Sequence, residues 1–451
     1  MSTRRTSLLL LISLALLTSA CSTSTFVHEP STTASKSGAA VAGALTSVGK
    51  SALKVAVIDA SSSKTRLYLY SVEPGPYPLV INVKETEFKR TASGGDEDGI
   101  DNFVDPTQPD LQASVVPEII TPLLTDLTTT VTAMGETPAD VEVNLLATAG
   151  MRVAEQKWAS SHPTAIADFY DIIRTAITAA GFKAGDVRTS DGSAEEGVWS
   201  WTNVNDSLVG AFTTQTPPVG VVEVGGSSAQ ISYPTNAPLG SANVYEVSVN
   251  GHQDRVFSRT FLGLGIDDAR KEMRKASTAP QTCFANGFPS AQDVGETQAG
   301  YPKLTVDGAY NPTTCAADFA KVVTGHITAA GDPQVANSTG EFIGTDATFY
   351  ATDYFGASTT PQTLAAATER ACGAAPDQLA INFPAIATSE NEQRQCATSN
   401  YINTLLYDPT AGLFHANPAA FTKAVTGRSA SGSTTLTWTR GYLLLKYVRT
   451  A

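Results

Sequence analysis

The sequence predicts an α/β protein built from two similar lobes, and three observations lead to this fold class. The chain has 451 residues, more than one ordinary hydrophobic core contains, so two domains are expected. A short apolar run followed by a polar turn, with an acid at the end of the run, occurs twice, about one domain apart. Between the two copies, residues 164–180 repeat apolar side chains with the period of an amphipathic helix.

The first copy lies where the folded chain is expected to begin. Residues 54–58 (KVAVI) form an apolar run rich in β-branched residues, which is typical of a buried strand, and the run stops at Asp59. Residues 61–63 are three serines that turn the chain, and residues 67–70 (LYLY) predict the returning strand. We therefore expect a hairpin with hydrogen-bond donors at its tip.

The second copy lies at residues 220–233. Residues 220–224 (GVVEV) predict a strand that carries Glu223, and residues 225–228 (GGSS) predict the turn. Small and hydroxyl-bearing turns supply the donors that phosphate oxygens need, and the acid before each turn is suited to a hydrated divalent cation. One such turn is common, and two ordinary hairpins remain an alternative. The pair favours a phosphate chain held from both sides.

The other elements are less regular. Residues 141–147 predict a strand, and residues 164–180 predict a helix that ends at Gly181. Residues 280–425 contain many prolines and glycines and little periodicity, which predicts insertions and loops of the second lobe. Residues 435–448 are strongly apolar and predict a final packed helix.

The N-terminus is typical of a targeting segment. Two arginines precede an apolar run at residues 8–17, which is short for a bilayer span but suits a signal peptide. Small residues directly before Cys21 resemble a bacterial lipobox, and a plain cleaved signal is the alternative. We expect a lipoprotein signal peptide at 1–21, lipid attachment at Cys21 and a flexible tether at 22–50. The protein would then be anchored in a bacterial cell envelope, at the outer membrane, facing the periplasm or exposed at the surface.

The remaining cysteines predict disulfide bonds. Four of the five cysteines follow the tether, and an even number in an exported chain predicts two bridges. Three pairings are possible, and the neighbouring pairs Cys283–Cys315 and Cys372–Cys396 are favoured. A zinc site is a weak alternative, because the spacings are long and no CxxC motif occurs.

Charge and missing motifs exclude several functions. The formal net charge of -13 argues against a general binder of nucleic acid, because lysines and arginines hold phosphate backbones. The sequence contains no P-loop, no HExxH zinc motif and no GxSxG nucleophile elbow. Any phosphate must be bound locally, by backbone N–H groups, hydroxyls, a few basic residues or a metal.

Two further segments have both a functional and an ordinary interpretation. Residues 191–197 (DGSAEEG) place adjacent carboxylates beside glycines, where one is suited to act as a general base. Taken alone, a solvated charge pair at the start of a helix explains them better. The aromatic residues 349–350 and 354–355 are suited to stacking on a nucleobase or to packing in a core.

Taken together and in order, five segments resemble the five conserved regions of the apyrase family (nucleoside triphosphate diphosphohydrolases, or ecto-nucleotidases). They are VIDASSSKTRLYLY, ATAGMR, GSAEEGVWSW, VEVGGSSAQISY and TWTRGYLLL. The resemblance implies two ribonuclease-H-like lobes of the actin/hexokinase superfamily with the active site in the cleft between them. Lobe I would comprise residues 51–187, completed by 426–451, and lobe II residues 188–425.

The resemblance also implies an activity, which is metal-dependent hydrolysis of the terminal phosphates of nucleoside tri- and diphosphates to the monophosphate. The cofactor would be Mg²⁺ or Ca²⁺, and the protein would act as a monomer. By position, Glu196 would activate the attacking water, which Ser228 and Gln230 would help to hold. Asp59 and Glu223 would bind the metal through water.

The same correspondence assigns the substrate contacts. Tyr350 would stack on the base, and Arg152 would line the cleft in a structural role. The groups that would bind phosphate are Ser62, Ser63, Thr148, Gly226 and Ser227. Three positions depart from the family pattern: Ser61 stands for glycine, Glu223 for aspartate and Ala229 for threonine. We expect these changes to affect the metal geometry and the turnover rate more than the fold.

Two alternatives stay open at the level of sequence. An enzyme like an exopolyphosphatase or guanosine pentaphosphate phosphatase would share both loops and the acidic motif, although ATAGMR and the predicted disulfides argue against it. A non-catalytic surface lipoprotein that binds nucleotides would keep the loops but lack turnover.

Overall fold

The computed structural model describes residues 52–73, 79–87, 99–214, 216–292, 302–331, 340–383, 394–426 and 436–448, with 333, 335 and 338. The predicted signal peptide, the lipidation at Cys21 and the tether at 22–50 lie outside the described residues. None of the described helices is long and apolar enough to cross a membrane.

The first of two sheets, sheet A, has five strands. They are β1 (Leu53–Ala60), β2 (Thr65–Glu73), β3 (Leu79–Glu87), β4 (Glu142–Ala147) and β5 (Lys183–Thr189), in the order β3-β2-β1-β4-β5. β1 pairs with β2 as an antiparallel hairpin and with β4 in parallel. The predicted hairpin is therefore present, and its serine-rich tip lies beside the carboxyl end of β4.

Helices cover one face of sheet A. They are α1 (Pro109–Val115), which continues through a π-helical turn at Val116–Ile120 into α2 (Thr121–Ala133), α3 (Ala149–Trp158) and α4 (Ala165–Ala179). In α4 the periodic residues Phe169, Ile173 and Ile177 are all buried, as the period of 3.6 residues requires. Gly181 follows with φ of 89° and ends the helical run, as expected from the sequence.

The second sheet, sheet B, has six strands in the order β11-β10-β6-β7-β9-β8. They are β6 (Gly220–Val224), β7 (Ser228–Pro234), β8 (Val244–Val249), β9 (His252–Leu262), β10 (Phe342–Asp346) and β11 (Phe421–Ala424). β6 and β7 form the second hairpin, and β10 runs parallel to β6. The carboxyl ends of β6 and β10 therefore lie at the same edge of the sheet.

Residues 280–425 were predicted to hold insertions and loops with little regular structure, and the described part of this stretch is instead mostly helical. The short α5 (Val198–Val204) precedes β6, and α6 (Ile266–Ala276) follows β9. Residues 280–425 then contain α7 (Pro312–Ala330), α8 (Ala347–Tyr354), α9 (Leu364–Cys372), α10 (Pro376–Asn382) and α11 (Gln395–Tyr407). The helical period is hidden in the sequence because small polar residues take up buried positions. In α11, for example, Thr398, Ser399 and Asn400 are buried beside Tyr401.

The predicted disulfides are present in this helical region. Cys283 is bonded to Cys315 in α7, and Cys372 at the end of α9 is bonded to Cys396 at the start of α11. All four cysteines are fully buried. The neighbouring pairing is thus confirmed: the first bridge lies in the core cluster of sheet B, and the second joins the end of α9 to the start of α11.

The last described helix, α12 (Trp438–Tyr447), packs against α5. Its apolar residues join one core cluster with residues of β1 and β2 in sheet A and of β8 and β9 in sheet B. Gly441 allows the close approach, since a Cβ there would lie 1.8 Å from the carbonyl oxygen of Trp199. Two mixed α/β sheets joined in this way confirm the predicted fold class.

Candidate active site

Two polar loops face each other between the sheets. Loop 1 (residues 61–64) follows β1, and loop 2 (residues 225–227) follows β6. A Cβ added to Gly226 would lie 2.7 Å from Ser62 Oγ and 3.3 Å from Ser63 Oγ. The backbone of loop 2 therefore approaches the hydroxyl groups of loop 1 closely, and glycine at this point keeps the gap open.

Loop 2 is held by the start of α6. The backbone N–H groups of Ile266 and Asp267 donate to the carbonyl oxygens of Gly225 and Gly226, each at 2.9 Å. Gly265 lies directly against the loop, because a Cβ there would be 2.1 Å from the carbonyl carbon of Gly226. The glycine-rich segment before α6 thus supports the loop from behind and leaves its other side to loop 1.

A buried ion pair lies beside loop 2. Arg152 in α3 donates from Nη2 to Glu196 Oε2 at 2.6 Å, and the same nitrogen lies 3.1 Å from Ser228 Oγ. Nη1 donates to the carbonyl oxygen of Ser190 at 3.2 Å. Glu196 is 6% exposed. Arg152 was expected to line the cleft in a structural role, and the structure shows it paired with Glu196.

Glu196 belongs to a π-helical turn, Gly192–Gly197, that rests on sheet B. Ser193 binds β9 through two hydrogen bonds, and Ser232 Oγ in β7 donates to the carbonyl oxygen of Gly197 at 3.0 Å. Asp191 caps the turn by accepting from two backbone N–H groups. The segment is therefore a fixed platform for Glu196, not the solvated helix start that its charge alone favoured.

The neighbouring glutamate has a different environment. Glu195 forms a two-pronged ion pair with Arg188, with both distances at 2.7 Å. The side chains in this pair are 27% and 41% exposed, against 8% and 12% for Glu196 and Arg152. The two adjacent carboxylates thus have separate arginine partners, and Glu196 is the one beside Ser228.

Ser228 and Gln230 extend this network along β7. Gln230 Nε2 donates to Ser228 Oγ at 2.7 Å, so Ser228 Oγ accepts from both Gln230 and Arg152. A hydroxyl oxygen has two lone pairs, and its O–H is then left as a donor. Gln230 is 2% exposed, and its Oε1 is buried without a hydrogen-bond partner.

Ala229 lies between Ser228 and Gln230 in β7 and points to the opposite side of the strand. It is fully buried in the core of the second sheet. Successive residues of a strand face opposite sides, so Ser228 and Gln230 share the site face and Ala229 does not. The departure from threonine at this position therefore lies outside the site.

Thr148 reaches the same region from sheet A. Its N–H donates to the carbonyl oxygen of Ala60 at 3.2 Å, and its side chain is buried directly before α3. Thr148 therefore lies next to the start of loop 1, one helical turn before Arg152.

Asp59 lies at the end of β1 and is 4% exposed. Burial, with repulsion from Glu196 and Asp346, raises its pKa to about 7, against the opposing effects of Arg66 and of the Ser61 hydrogen bond. Ser61 Oγ donates to Asp59 Oδ1 at 2.6 Å. The serine that replaces the usual glycine therefore orients this carboxylate.

Glu223 lies at the corresponding position of β6. Burial and repulsion from Glu196 and Asp346 raise the pKa of Glu223 well above its usual value, and a hydrogen bond with Ser200 opposes the shift. Its Oε2 is buried and has no hydrogen-bond partner. A buried acceptor without a donor is costly, and a water molecule of a hydrated cation would supply that donor.

Asp346 is a further acid at this site that sequence reasoning missed. It ends β10, beside the carboxyl end of β6. A signal existed, because FIGTD is a third short apolar strand that ends in an acid. It was overlooked because no serine- or glycine-rich turn follows it.

Tyr350 lies one helical turn after Asp346, in α8. It is 58% exposed, whereas its neighbour Phe349 packs against the core of the second sheet. Of the aromatic residues at 349–350, Tyr350 is thus the one with a face open to a ligand.

The described residues contain no group of three histidine, cysteine or acidic side chains placed to ligate a metal directly. Metal contacts from Asp59 and Glu223 were predicted to run through water, and they stay a prediction. The acidic set and the unpartnered oxygen of Glu223 fit a hydrated divalent cation, because water bound to a cation donates hydrogen bonds to such acceptors.

Comparison with known proteins identifies the family of this chain. The model of the GDA1/CD39 (nucleoside phosphatase) family matches residues 50–450. Probable apyrase 4 of Arabidopsis thaliana is 24% identical over 294 residues, which cover 59% of this chain and 57% of that protein. A nucleoside-triphosphatase of Caenorhabditis elegans is 27% identical over 296 residues, which cover 61% of this chain and 49% of that protein.

The chain thus spans about half the length of the curated relatives it matches. In structure it is similar to nucleoside triphosphate hydrolases from Neospora caninum, with a TM-score of 0.56 and 15% identity, over 88% of this chain and 93% of that one. This likeness is one of fold. With the family match over nearly the whole chain, it leads to one conclusion: the chain belongs to the GDA1/CD39 (nucleoside phosphatase) family.

Proposed function

We propose that this protein hydrolyses the terminal phosphates of nucleoside tri- and diphosphates to the monophosphate, by attack of a water molecule that Glu196 activates. The observation that carries the proposal is the position of Glu196, buried and held by Arg152 beside Ser228, next to two facing hydroxyl-rich loops. The similarity to a nucleoside-triphosphatase and to a probable apyrase supports the same chemistry.

The hydrogen-bond network suits the activation of water. Arg152 occupies Glu196 Oε2, which leaves Oε1 to accept a proton from water. Gln230 Oε1, buried and unpartnered, is suited to accept the second proton of the same water, and the Ser228 O–H is suited to donate to its oxygen. As the oxygen–phosphorus bond forms, the bridging P–O bond breaks and the shortened nucleotide leaves, while Glu196 takes the proton.

The loops are proposed to bind the phosphate chain. Ser62 and Ser63 would donate hydroxyl hydrogen bonds from one side, with Thr148 beside them, and the backbone of Gly226 and Ser227 would donate from the other. A divalent cation, Mg²⁺ or Ca²⁺, would neutralise charge on the phosphate oxygens, held through water by Asp59 and Glu223. The exposed face of Tyr350 would stack on the base.

The cellular setting is proposed from the sequence alone. Lipid attachment at Cys21 would anchor the protein in the bacterial envelope, where it would meet nucleotides as a monomer. Metabolic labelling with palmitate tests the anchor: wild type should be labelled and Cys21→Ser should not. Equal labelling of both would remove Cys21 from this role.

The adjacent glutamates give a matched test of the catalytic role. Phosphate release from ATP, ADP and long-chain polyphosphate should be measured for wild type, Glu196→Gln and Glu195→Gln, with Mg²⁺ or Ca²⁺. We expect Glu196→Gln to lose about 10²–10⁴-fold in kcat, the usual contribution of a general base, while Glu195→Gln stays within about threefold.

Other results would contradict the proposal in different ways. Equal rates for the two variants would remove Glu196 from its role. Polyphosphate as the one good substrate would favour an exopolyphosphatase-like enzyme. Nucleotide binding without turnover by wild type would favour a binding protein.

A further inference from the structure

Asp346 has an unusual backbone for its position. It ends β10, where Thr345 is in register with Glu223 and Asp346 with Val224. Regular alternation would direct Asp346 to the face opposite Glu223. Its φ of 54° and ψ of -123°, in a region that glycine favours, break the alternation at this residue.

The carboxylate of Asp346 is not used to cap its own helix. Asp346 is the residue directly before α8, where aspartate commonly accepts from backbone N–H groups, but it forms no side-chain cap hydrogen bond. It interacts electrostatically with Asp59 and Glu223, and it is attracted by Lys64 and Arg66 at the first hairpin. Asp346 is exposed at the end of β10, and these electrostatic interactions place its charge near the acids of both sheets.

The site requires donors that the described protein atoms do not supply. Glu223 Oε2 is buried and unpartnered, and Gln230, its cross-strand neighbour in β7, is 2% exposed with an unpartnered Oε1. The attacking water would supply the donor for Gln230 Oε1, so Glu223 Oε2 still lacks one. Carboxylates around a water-sized donor favour a hydrated cation over an anion.

From this arrangement we propose that Asp346 is a third carboxylate of the cation site, which holds the hydrated divalent ion together with Asp59 and Glu223. The inference rests on the proposed function, which places a cation there. It adds a contact from β10, so that strand ends of both sheets hold one ion. Strained backbone at a ligand site is maintained by its surroundings, and here it re-aims the carboxylate toward the ion.

Binding of Mn²⁺ in the full chain tests the proposal independently of turnover. The electron paramagnetic resonance signal of free Mn²⁺ gives the affinity of the protein for Mn²⁺, measured with and without a non-hydrolysable triphosphate analogue. Asp346→Asn keeps the size of the side chain and tolerates a positive φ. We expect it to weaken Mn²⁺ binding at least tenfold, while Asp353→Asn, an exposed acid in α8, leaves the affinity unchanged.

A second variant separates the metal role from folding. Asp346→Gly removes the carboxylate and suits the backbone conformation, so it should unfold at a higher temperature than wild type and still lose Mn²⁺ affinity. Unchanged affinity in both variants would overturn the inference, and so would a loss shared by Asp353→Asn. A raised KM for nucleotide without any change in Mn²⁺ affinity would overturn it too, since Asp346 would then contact the nucleoside.

The inference and the proposed function fail in different ways. If wild type hydrolyses nucleotides and substitution of Asp346 does not change the affinity for Mn²⁺, the proposed function stands and the inference is removed. If Mn²⁺ binding depends on Asp346 but no nucleotide is hydrolysed, the cation contact of Asp346 stands and the proposed function is removed. No Mn²⁺ binding by wild type under either condition would overturn the cation site itself.

Discussion

Arg152 Nη2 lies 2.6 Å from Glu196 Oε2 and 3.1 Å from Ser228 Oγ, so one nitrogen joins the carboxylate to the hydroxyl at the end of loop 2. The pair connects α3, which follows β4 of sheet A, to a turn that rests on sheet B. It orients Glu196 and provides a positive charge within a group of acids.

We predict that Arg152→Met lowers kcat by about 10²-fold or more with a smaller change in KM, because Glu196 loses its orientation. Arg152→Lys should be intermediate, since lysine keeps the charge but not the forked geometry. The matched control is Arg188→Met, which breaks the more exposed pair with Glu195. Steady-state kinetics that show equal losses for Arg152→Met and Arg188→Met would contradict the positioning role.

The raised pKa of Asp59 predicts how the stability of the metal-free protein depends on pH. The pKa rises from 3.8 to about 7, so the folded state binds this proton more tightly than the unfolded chain does. Stability from this group is present below about pH 4 and is lost as pH rises through about 7. With chelator present, Asp59→Asn should be more stable than wild type at pH 8, by roughly 2–4 kcal/mol.

At pH 5 the advantage of Asp59→Asn should fall to roughly 1–2 kcal/mol, because Asp59 is then neutral in folded wild type while the unfolded chain is still largely ionised. Asp168→Asn, at an exposed position of α4, controls for general charge effects. Urea unfolding at both pH values measures the difference. An advantage that is the same at pH 5 and pH 8 would exclude ionisation of Asp59 as its cause.

Tyr350→Ala tests the proposed contact with the nucleobase. Stacking of a base on an aromatic ring is worth about 1–3 kcal/mol, so KM for nucleotides should rise about tenfold. Hydrolysis of inorganic tripolyphosphate should not change, and neither should stability, because the side chain is 58% exposed. Leu239→Ala, at a residue 51% exposed, is the control. A parallel loss with tripolyphosphate would place Tyr350 in another role.

We predict that alanine substitutions at two glycines, Gly226 and Gly265, affect activity and folding separately. A Cβ at Gly226 meets Ser62 Oγ at 2.7 Å and Asp267 Oδ2 at 2.8 Å, so Gly226→Ala should fold but displace a hydroxyl that is proposed to bind phosphate, and lower kcat/KM. In Gly265→Ala the Cβ meets the backbone of loop 2 within 2.1 Å, which should destabilise folding.

Gly325→Ala is the control for both glycine variants. Gly325 is exposed within α7 and has open space around a new Cβ, so alanine should stabilise the protein by about 0.5–1 kcal/mol with unchanged activity. Thermal unfolding and phosphate release distinguish the three variants. Full activity of Gly226→Ala would argue against close contact between the loops.

Local patterns were enough to predict the two hairpins, α4 and the disulfide partners. The hairpins and α4 depend on residues close together in the chain, such as β-branched runs and serine turns, and the disulfide partners followed from pairing each cysteine with the next one in the sequence. The helices within residues 280–425 were missed because buried threonine, serine and asparagine hide the apolar period in α11. Burial of such residues depends on hydrogen bonds that form only after the helices pack.

The sequence by itself determined the family, the paired loops and the identity of the acids on β1 and β6, because each lies in a short continuous motif. Tertiary structure alone decided that Arg152 holds Glu196, that Ala229 points into the core and that Asp346 joins the acidic group. Those relationships link residues that are distant in the chain, and charge and hydrogen-bond geometry can select partners only once the two sheets have brought them together.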